Sequence, residues 1–139
     1  TGSGKSLLLS TLMTSENHDG KRKVSIEDPV ERIIPGVTQV ELRRDMTYEK
    51  CFQGLLRHDP DVIYIGEIRT PEVAQVALDA GTTGHAVYST LHADGAKEAL
   101  LRLKEFGLSR ELLSISLKLI ISCRVVESIC TECSCRVLI

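Results

Sequence analysis

The first six residues, Thr1-Gly2-Ser3-Gly4-Lys5-Ser6, place two glycines, a lysine and a hydroxyl in an order suited to holding phosphate. They match the second half of the pattern G-x-x-x-x-G-K-[ST], whose first glycine would lie upstream of Thr1. Gly2 and Gly4 admit backbone dihedrals that a Cβ would forbid. A run of such positions turns several N–H groups toward one point and makes an anion site. The helix expected to begin near Lys5 adds the positive end of its dipole. Lys5 would bring a point charge to the β- and γ-phosphates, and Ser6 would place its hydroxyl on a bridging magnesium ion. Gly2, Ser3, Gly4, Lys5, Ser6 and Leu7 are therefore the candidate nucleotide-binding residues. The competing reading is an ordinary glycine turn before an amphipathic helix. A strand should feed such a loop and is expected upstream of Thr1, so the chain reads as part of something larger.

Three polar groups further on suit the chemistry of a bound triphosphate. In Asp61-Val62-Ile63-Tyr64-Ile65-Gly66-Glu67 an apolar run ends in a carboxylate. Glu67 would approach magnesium, directly or through water, and help orient an attacking water; the alternative is a surface glutamate at a strand end. Glu27 is the stronger candidate of the pair Glu27-Asp28 for accepting a proton from that water. Asp28 is read equally well as an acidic turn before Pro29. His92, after Ser89-Thr90-Leu91, is a candidate sensor of the γ-phosphate, although a lone histidine in such a place is more often structural. His85 is read as mainly structural, and His18 and His58 as surface residues. Arg69 is placed to pair with an acidic neighbour or to reach phosphate. Arg43 and Arg44 would suit an arginine finger across a subunit boundary, with a solvated basic pair slightly favoured.

Cysteines crowd the C-terminus. Cys130-Thr131-Glu132-Cys133 is a C-x-x-C with Cys135 two residues later. A tetrahedral zinc site needs four ligands, usually from two such pairs, so Cys130 and Cys133 would be half of one. A redox dithiol and incidental cysteines at a chain end are the rival readings. Cys51 and Cys123 are expected in the core.

The elements that must position these groups alternate between helical and extended patterns, which argues for an α/β layer fold with a mostly parallel sheet. Helices are expected over Lys5–Met13, from an N-cap at Thr47 to Arg57, from an N-cap at Thr70 with Pro71 first in the helix to Ala80 with Gly81 just beyond, from an N-cap at Asp94 to Phe106, and from an N-cap at Ser109 to Ile121. The first, Leu7 to Met13, reads as a buried helix. Strands are expected over Val24–Asp28, Thr38–Leu42, Val62–Gly66 and Ala86–Thr90, with a final one in Arg124–Ile129. Glu27, Glu67 and His92 all follow the carboxyl ends of predicted strands, where open α/β sheets bind their ligands.

Composition sets the outer bounds. At 139 residues, 42% hydrophobic and 26% charged, the chain has the make-up of one soluble domain or most of one. A net charge of −2 and the absence of tryptophan argue against a nucleic-acid partner. The apolar stretch Leu112–Ile121 is too short to span a bilayer. Five cysteines beside a nucleotide loop suggest a reduced, cytosolic setting.

Together these motifs resemble one family, the secretion ATPases of type II secretion systems and type IV pili with their competence and conjugation relatives. Leu56-Arg57-His58-Asp59-Pro60-Asp61 through Glu67-Ile68-Arg69 is similar to the family's Walker B region. Thr83-Gly84-His85 with Ser89-Thr90-Leu91-His92-Ala93 is similar to its His box, and Ile26-Glu27-Asp28-Pro29-Val30-Glu31 to its Asp box. The resemblance implies a RecA-like P-loop NTPase domain over residues 1–129, truncated at both ends, followed over 130–139 by the start of a zinc-binding cysteine module. It implies Mg-dependent ATP hydrolysis in a homo-hexamer, with Glu27 activating water, Glu67 in the Walker B role and His92 contacting nucleotide. It also implies a cytoplasmic protein, peripheral at the inner membrane, that drives a platform protein to build a pilus or pseudopilus. The cysteine pair leans the reading toward assembly or secretion rather than retraction. Cys135-Arg136-Val137-Leu138-Ile139 departs from the usual continuation of that module. A nucleotide-binding assembly module without hydrolysis of its own and a type IV secretion ATPase are the alternatives; a small-molecule kinase would need an acceptor pocket and an arginine-rich lid that the sequence does not offer.

Overall fold

The computed structural model describes residues 4–14, 20–43, 45–124, 127–129 and 136–138. Its elements run α1 (Lys5–Met13), β1 (Lys23–Glu27), β2 (Val37–Glu41), α2 (Tyr48–Leu56), β3 (Val62–Ile65), α3 (Pro71–Thr82), β4 (Ala86–Ser89), α4 (Ala96–Glu105), α5 (Arg110–Ser116), β5 (Glu127–Ile129) and β6 (Arg136–Leu138). The first four strands form one sheet in the order β2-β1-β3-β4, every neighbouring pair parallel. β5 and β6 pair antiparallel.

Side-chain alternation sorts the strands onto two faces. Val24 and Ile26 of β1 and Ile63 and Ile65 of β3 pack on Cys51, Phe52 and Leu55 of α2 and on Val73, Ala77 and Ala80 of α3. On the other face Val62 and Tyr64 meet Leu9 and Met13 of α1, with Ile34. β3 is buried along its whole length because helices cover both sides of it. A third cluster ties α3 to α4 and α5 through Ala74, Leu78, Leu103, Leu108 and Leu113.

Local signals set most helix starts. Thr47, Thr70 and Ser109 each accept a backbone N–H through the side chain, from Lys50, Val73 and Leu112 respectively. Elsewhere the structure departs from the sequence expectation. α3 runs through Gly81 to Thr82, because the left-handed residue that ends it is Gly84, φ 95°, after the cap at Thr83. α4 is capped by Gly95 rather than Asp94. α5 stops at Ser116 instead of Ile121: Leu117 is extended, and Leu117–Cys123 become one wall of a cavity. α1 is buried on one side only, with Leu9 and Met13 inside and Leu7 59% exposed. Among the described residues no strand pairs with the outer edge of β4. The cavity there, ≈ 570 Å³, is lined by apolar residues including Leu8 and Leu12 of α1, Val87 of β4 and Leu103 of α4.

Candidate nucleotide site

Parallel pairing brings the acidic tips together. Ile26 of β1 is in register with Ile65 of β3, so Glu27 faces Gly66 and Glu67 follows one residue later. The tips are stitched across the sheet. Gly66 N–H donates to the Ile26 carbonyl at 2.8 Å and Ile68 N–H to the Thr90 carbonyl at 2.8 Å. The Ser89 and Thr90 hydroxyls donate to the carbonyls of Ile65 and Gly66, each at 2.7 Å.

Gly66 is required by this close approach. A Cβ there would lie 3.3 Å from Glu27 Cα and 3.4 Å from the Ile26 carbonyl oxygen, both backbone atoms held in the sheet. Gly66→Ala is expected to destabilise the fold by about 1–3 kcal/mol through overpacking. Gly54→Ala, on the open surface of α2 with nothing within 4 Å, is expected to stabilise by up to about 1 kcal/mol. Urea-unfolding midpoints of the two variants check the contrast.

The start of α1 has the backbone of an anion site. Gly4 sits at φ 84°, ψ 10°, in the left-handed region, and as the N-cap residue it brings no side chain to the N–H groups that follow. α2, α3, α4 and α5 each carry a glutamate in the first turn, Glu49, Glu72, Glu98 and Glu111, against the positive end of the helix. α1 has none, and Lys5 and Ser6 stand there instead. Ser6 and Glu27 line one cavity of ≈ 210 Å³ together with Glu31, Arg32, Ile34 and Tyr64. Among the described residues Arg32 is the one cationic side chain on that wall.

Glu27 is held firmly. It is 5% exposed, and its Oε1 accepts from Ser25 Oγ at 2.7 Å and from Gln39 Nε2 at 2.8 Å. Ser25, on the same face of β1, is fully buried. Burial, then the charges of Glu27 and Glu31, push the Tyr64 phenol up to about 12, so a neutral hydroxyl stands at the cavity wall.

Glu67 is held differently. Its Oε2 accepts from Arg69 Nε at 2.6 Å, and Arg69 Nη1 lies 3.5 Å from Asp28 Oδ2. Arg69 thus spans the tips of β1 and β3. Tyr48, at the start of α2, is raised above its usual range by burial and then by the nearby charge of Asp28, offset in part by Arg69.

The remaining expected residues fall as follows. His92 is exposed beyond β4, with Arg102 Nη1 donating to its carbonyl at 3.1 Å. His85 is structural: its Nδ1 lies 3.0 Å from Thr83 Oγ1 and 3.2 Å from the Ala80 carbonyl at the end of α3. Lys5 and Leu7 occupy the first turn of α1: Leu7, exposed, borders the ≈ 210 Å³ cavity with Ser6, whereas Lys5, half-buried, borders the ≈ 570 Å³ cavity beside β4 and is not brought to Glu27. Arg43 and His58 are exposed, Cys51 is buried and Cys123 half-buried. Gly2, Ser3, His18, Arg44, Cys130, Cys133 and Cys135 lie outside the described residues. Among the described residues no group of three or more His, Cys, Asp or Glu is placed to hold a metal, and no helix is long and apolar enough to cross a membrane. Sequence reasoning missed Ser25, Gln39, Arg32, Tyr64 and Gly66. The one available signal was polar Ser25 and Glu27 alternating with Val24 and Ile26 in a strand that is buried on both faces.

The family model described as "Type II/IV secretion system protein" matches residues 1–138. The chain belongs to the type II/IV secretion system protein family. It is 43% identical over 136 residues to the type II secretion system protein E of Pectobacterium carotovorum subsp. carotovorum and 42% identical over 135 residues to the type II secretion system ATPase E of Vibrio cholerae serotype O1. Each match covers 96% of this chain and 27% of the relative. Among solved structures it resembles the pilus retraction motor PilT with bound ADP, at TM-score 0.83 and 32% identity over 99% of this chain and 43% of that one. It also resembles the VirB11 ATPase of the Brucella suis type IV secretion system, at TM-score 0.70 and 25% identity over 99% of this chain and 44% of that one. The family's fold is the RecA-like P-loop type, and the mostly parallel sheet with helices on both faces is its core.

Proposed function

We propose that this chain is the ATP-binding and hydrolysing part of a cytoplasmic motor that powers type II secretion or the assembly of a type IV pilus. The observation that carries the reading is the shared cavity: Ser6, in the first turn of α1, and the buried carboxylate of Glu27 line the same ≈ 210 Å³ space. The sequence likeness to secretion ATPases supports the cellular role. The motor acts as a homo-hexamer on an inner-membrane platform protein.

In this mechanism the backbone around Gly4 and the ammonium of Lys5 receive the β- and γ-phosphates. Glu27 accepts a proton from the attacking water through Oε2, which no donor reaches among the described residues. Glu67 supplies a second oxygen donor at the neighbouring strand tip, and His92 reports on the nucleotide from the end of β4. The donor set fits magnesium, which takes one or two protein oxygens and completes its shell with phosphate and water: the Ser6 hydroxyl and the Glu67 carboxylate are such donors, and the described residues form no closed cage. When bound, that ion would neutralise charge on the transferred phosphoryl group.

A nucleotide-binding module without turnover of its own is the second reading. It is favoured by the short Arg69 contact on Glu67, which occupies a carboxylate oxygen that hydrolysis would use. Lys5→Ala tests what the two readings share. In the intact protein it is expected to weaken binding of a fluorescent ATP analogue about 10- to 100-fold, as loss of a charge-assisted contact implies. Unchanged affinity would remove the site from α1. Phosphate release by the unaltered protein separates motor from module.

A further inference from the structure

We infer that Gln39 is a positioning residue for the reaction, orienting Glu27 and linking it to the loop that walls the cavity. This rests on the reading of Glu27 as the proton acceptor. The sheet register puts Gln39 of β2, Ser25 of β1 and Tyr64 of β3 at one level across three strands, on the α1 face. Glu27 lies one pleat period further toward the strand ends, within reach of both polar neighbours. Gln39 uses its amide fully. Nε2 donates to Glu27 Oε1 at 2.8 Å and to the Arg32 carbonyl at 2.9 Å, while Oε1 accepts the Ile34 N–H at 2.7 Å. Those bonds set the amide's orientation, with no ambiguity about which end faces the carboxylate.

Ser25 supplies the second donor to the same oxygen. A carboxylate with one oxygen held by two donors keeps its plane and presents the other oxygen in a single direction, which is what proton abstraction from a placed water needs. Gln39 also spans two parts of the site. Arg32 and Ile34 line the cavity with Ser6 and Glu27, so a ligand that shifts the 32–34 segment would move the amide and the carboxylate together.

The test separates orientation from scaffolding by two substitutions in the intact protein. Gln39→Leu keeps the volume and loses every bond. Gln39→Glu retains an acceptor for the Ile34 N–H but turns an oxygen, rather than a donor, toward Glu27. Both variants are expected to lower kcat for ATP about 10- to 100-fold, with KM and ATP-analogue affinity within about threefold of the unaltered protein. Ser25→Ala should lower kcat in the same sense, and Ser25→Thr, which keeps the hydroxyl, should recover most of the loss. A scaffolding role predicts that Gln39→Glu resembles the unaltered protein and that only Gln39→Leu is impaired, in parallel with its melting temperature; that pattern overturns the inference. The reading of Glu27 is controlled separately. If Glu27→Gln retains full turnover, that reading has failed; if Glu27→Gln is inactive while both Gln39 variants keep normal kcat, the positioning role alone has failed.

Discussion

Glu27→Gln in the intact protein is expected to lower ATP turnover about 10²- to 10⁴-fold while leaving nucleotide affinity nearly unchanged, the range typical for loss of one positioned general base. The substitution preserves shape. The new carbonyl oxygen can still accept from Ser25 and Gln39, so the side chain keeps its place. What changes is the atom facing the cavity: an amide nitrogen replaces Oε2, and it cannot accept a proton from water. Binding is expected to be spared because the groups proposed to hold phosphate, Gly4 and Lys5, belong to the start of α1 and not to the strand that carries Glu27. Phosphate release and equilibrium titration with an ATP analogue measure the two halves of this expectation. Turnover within a few-fold of the unaltered protein would exclude Glu27 as the acceptor.

The largest effect on stability is expected at Ile26→Ala. Ile26 is fully buried in the cluster that joins the sheet to α2 and α3. Removing its outer carbons loses transfer free energy and leaves a cavity that a four-stranded parallel sheet cannot close, a cost of about 2–5 kcal/mol. Ile33→Ala is the internal control: Ile33 is 80% exposed, and its loss is expected to change stability by no more than about 0.5 kcal/mol. Urea denaturation followed by circular dichroism distinguishes them. Equal midpoints would mean that the β1 face is not the core described here. Because Ile26 precedes Glu27, the same variant should also blur the carboxylate's position and reduce turnover beyond what the unfolded fraction explains.

Much of the site was legible because the relevant signals are local. Gly4-Lys5-Ser6 announced a helix start, and α1 begins at Lys5 behind a left-handed Gly4. The apolar run Val62–Gly66 announced a strand, and Val62–Ile65 forms one that is buried along its length. Thr47, Thr70 and Ser109 announced their caps through the hydroxyl. Errors arose where one local signal competed with another. Gly81 resembled a stop, yet Gly84 lies three residues on and takes the left-handed conformation while Gly81 packs beside Ser116. Leu117–Ile121 carried helix-compatible apolar spacing, but α5 ends where Leu117 turns extended, and the residues after it line the cavity beside β4.

The sequence by itself determined which groups are on offer: Gly4-Lys5-Ser6 at a helix start, two carboxylates at strand ends and an alternation of elements that argues for a mostly parallel α/β sheet. Residue type and spacing along the chain suffice for that, since helix starts, caps and strand faces depend on neighbours within a few positions. Only the tertiary structure decided how Glu27 is held and which second carboxylate Arg69 reaches. Glu27 is clasped by Gln39, twelve residues away on the next strand, and Glu67 by Arg69, which also reaches Asp28 across the sheet. The Gln39–Glu27 and Arg69–Asp28 contacts follow from register and from which strands lie side by side, and neither is written in any short stretch of the chain, whereas Glu67 and Arg69 stand two residues apart.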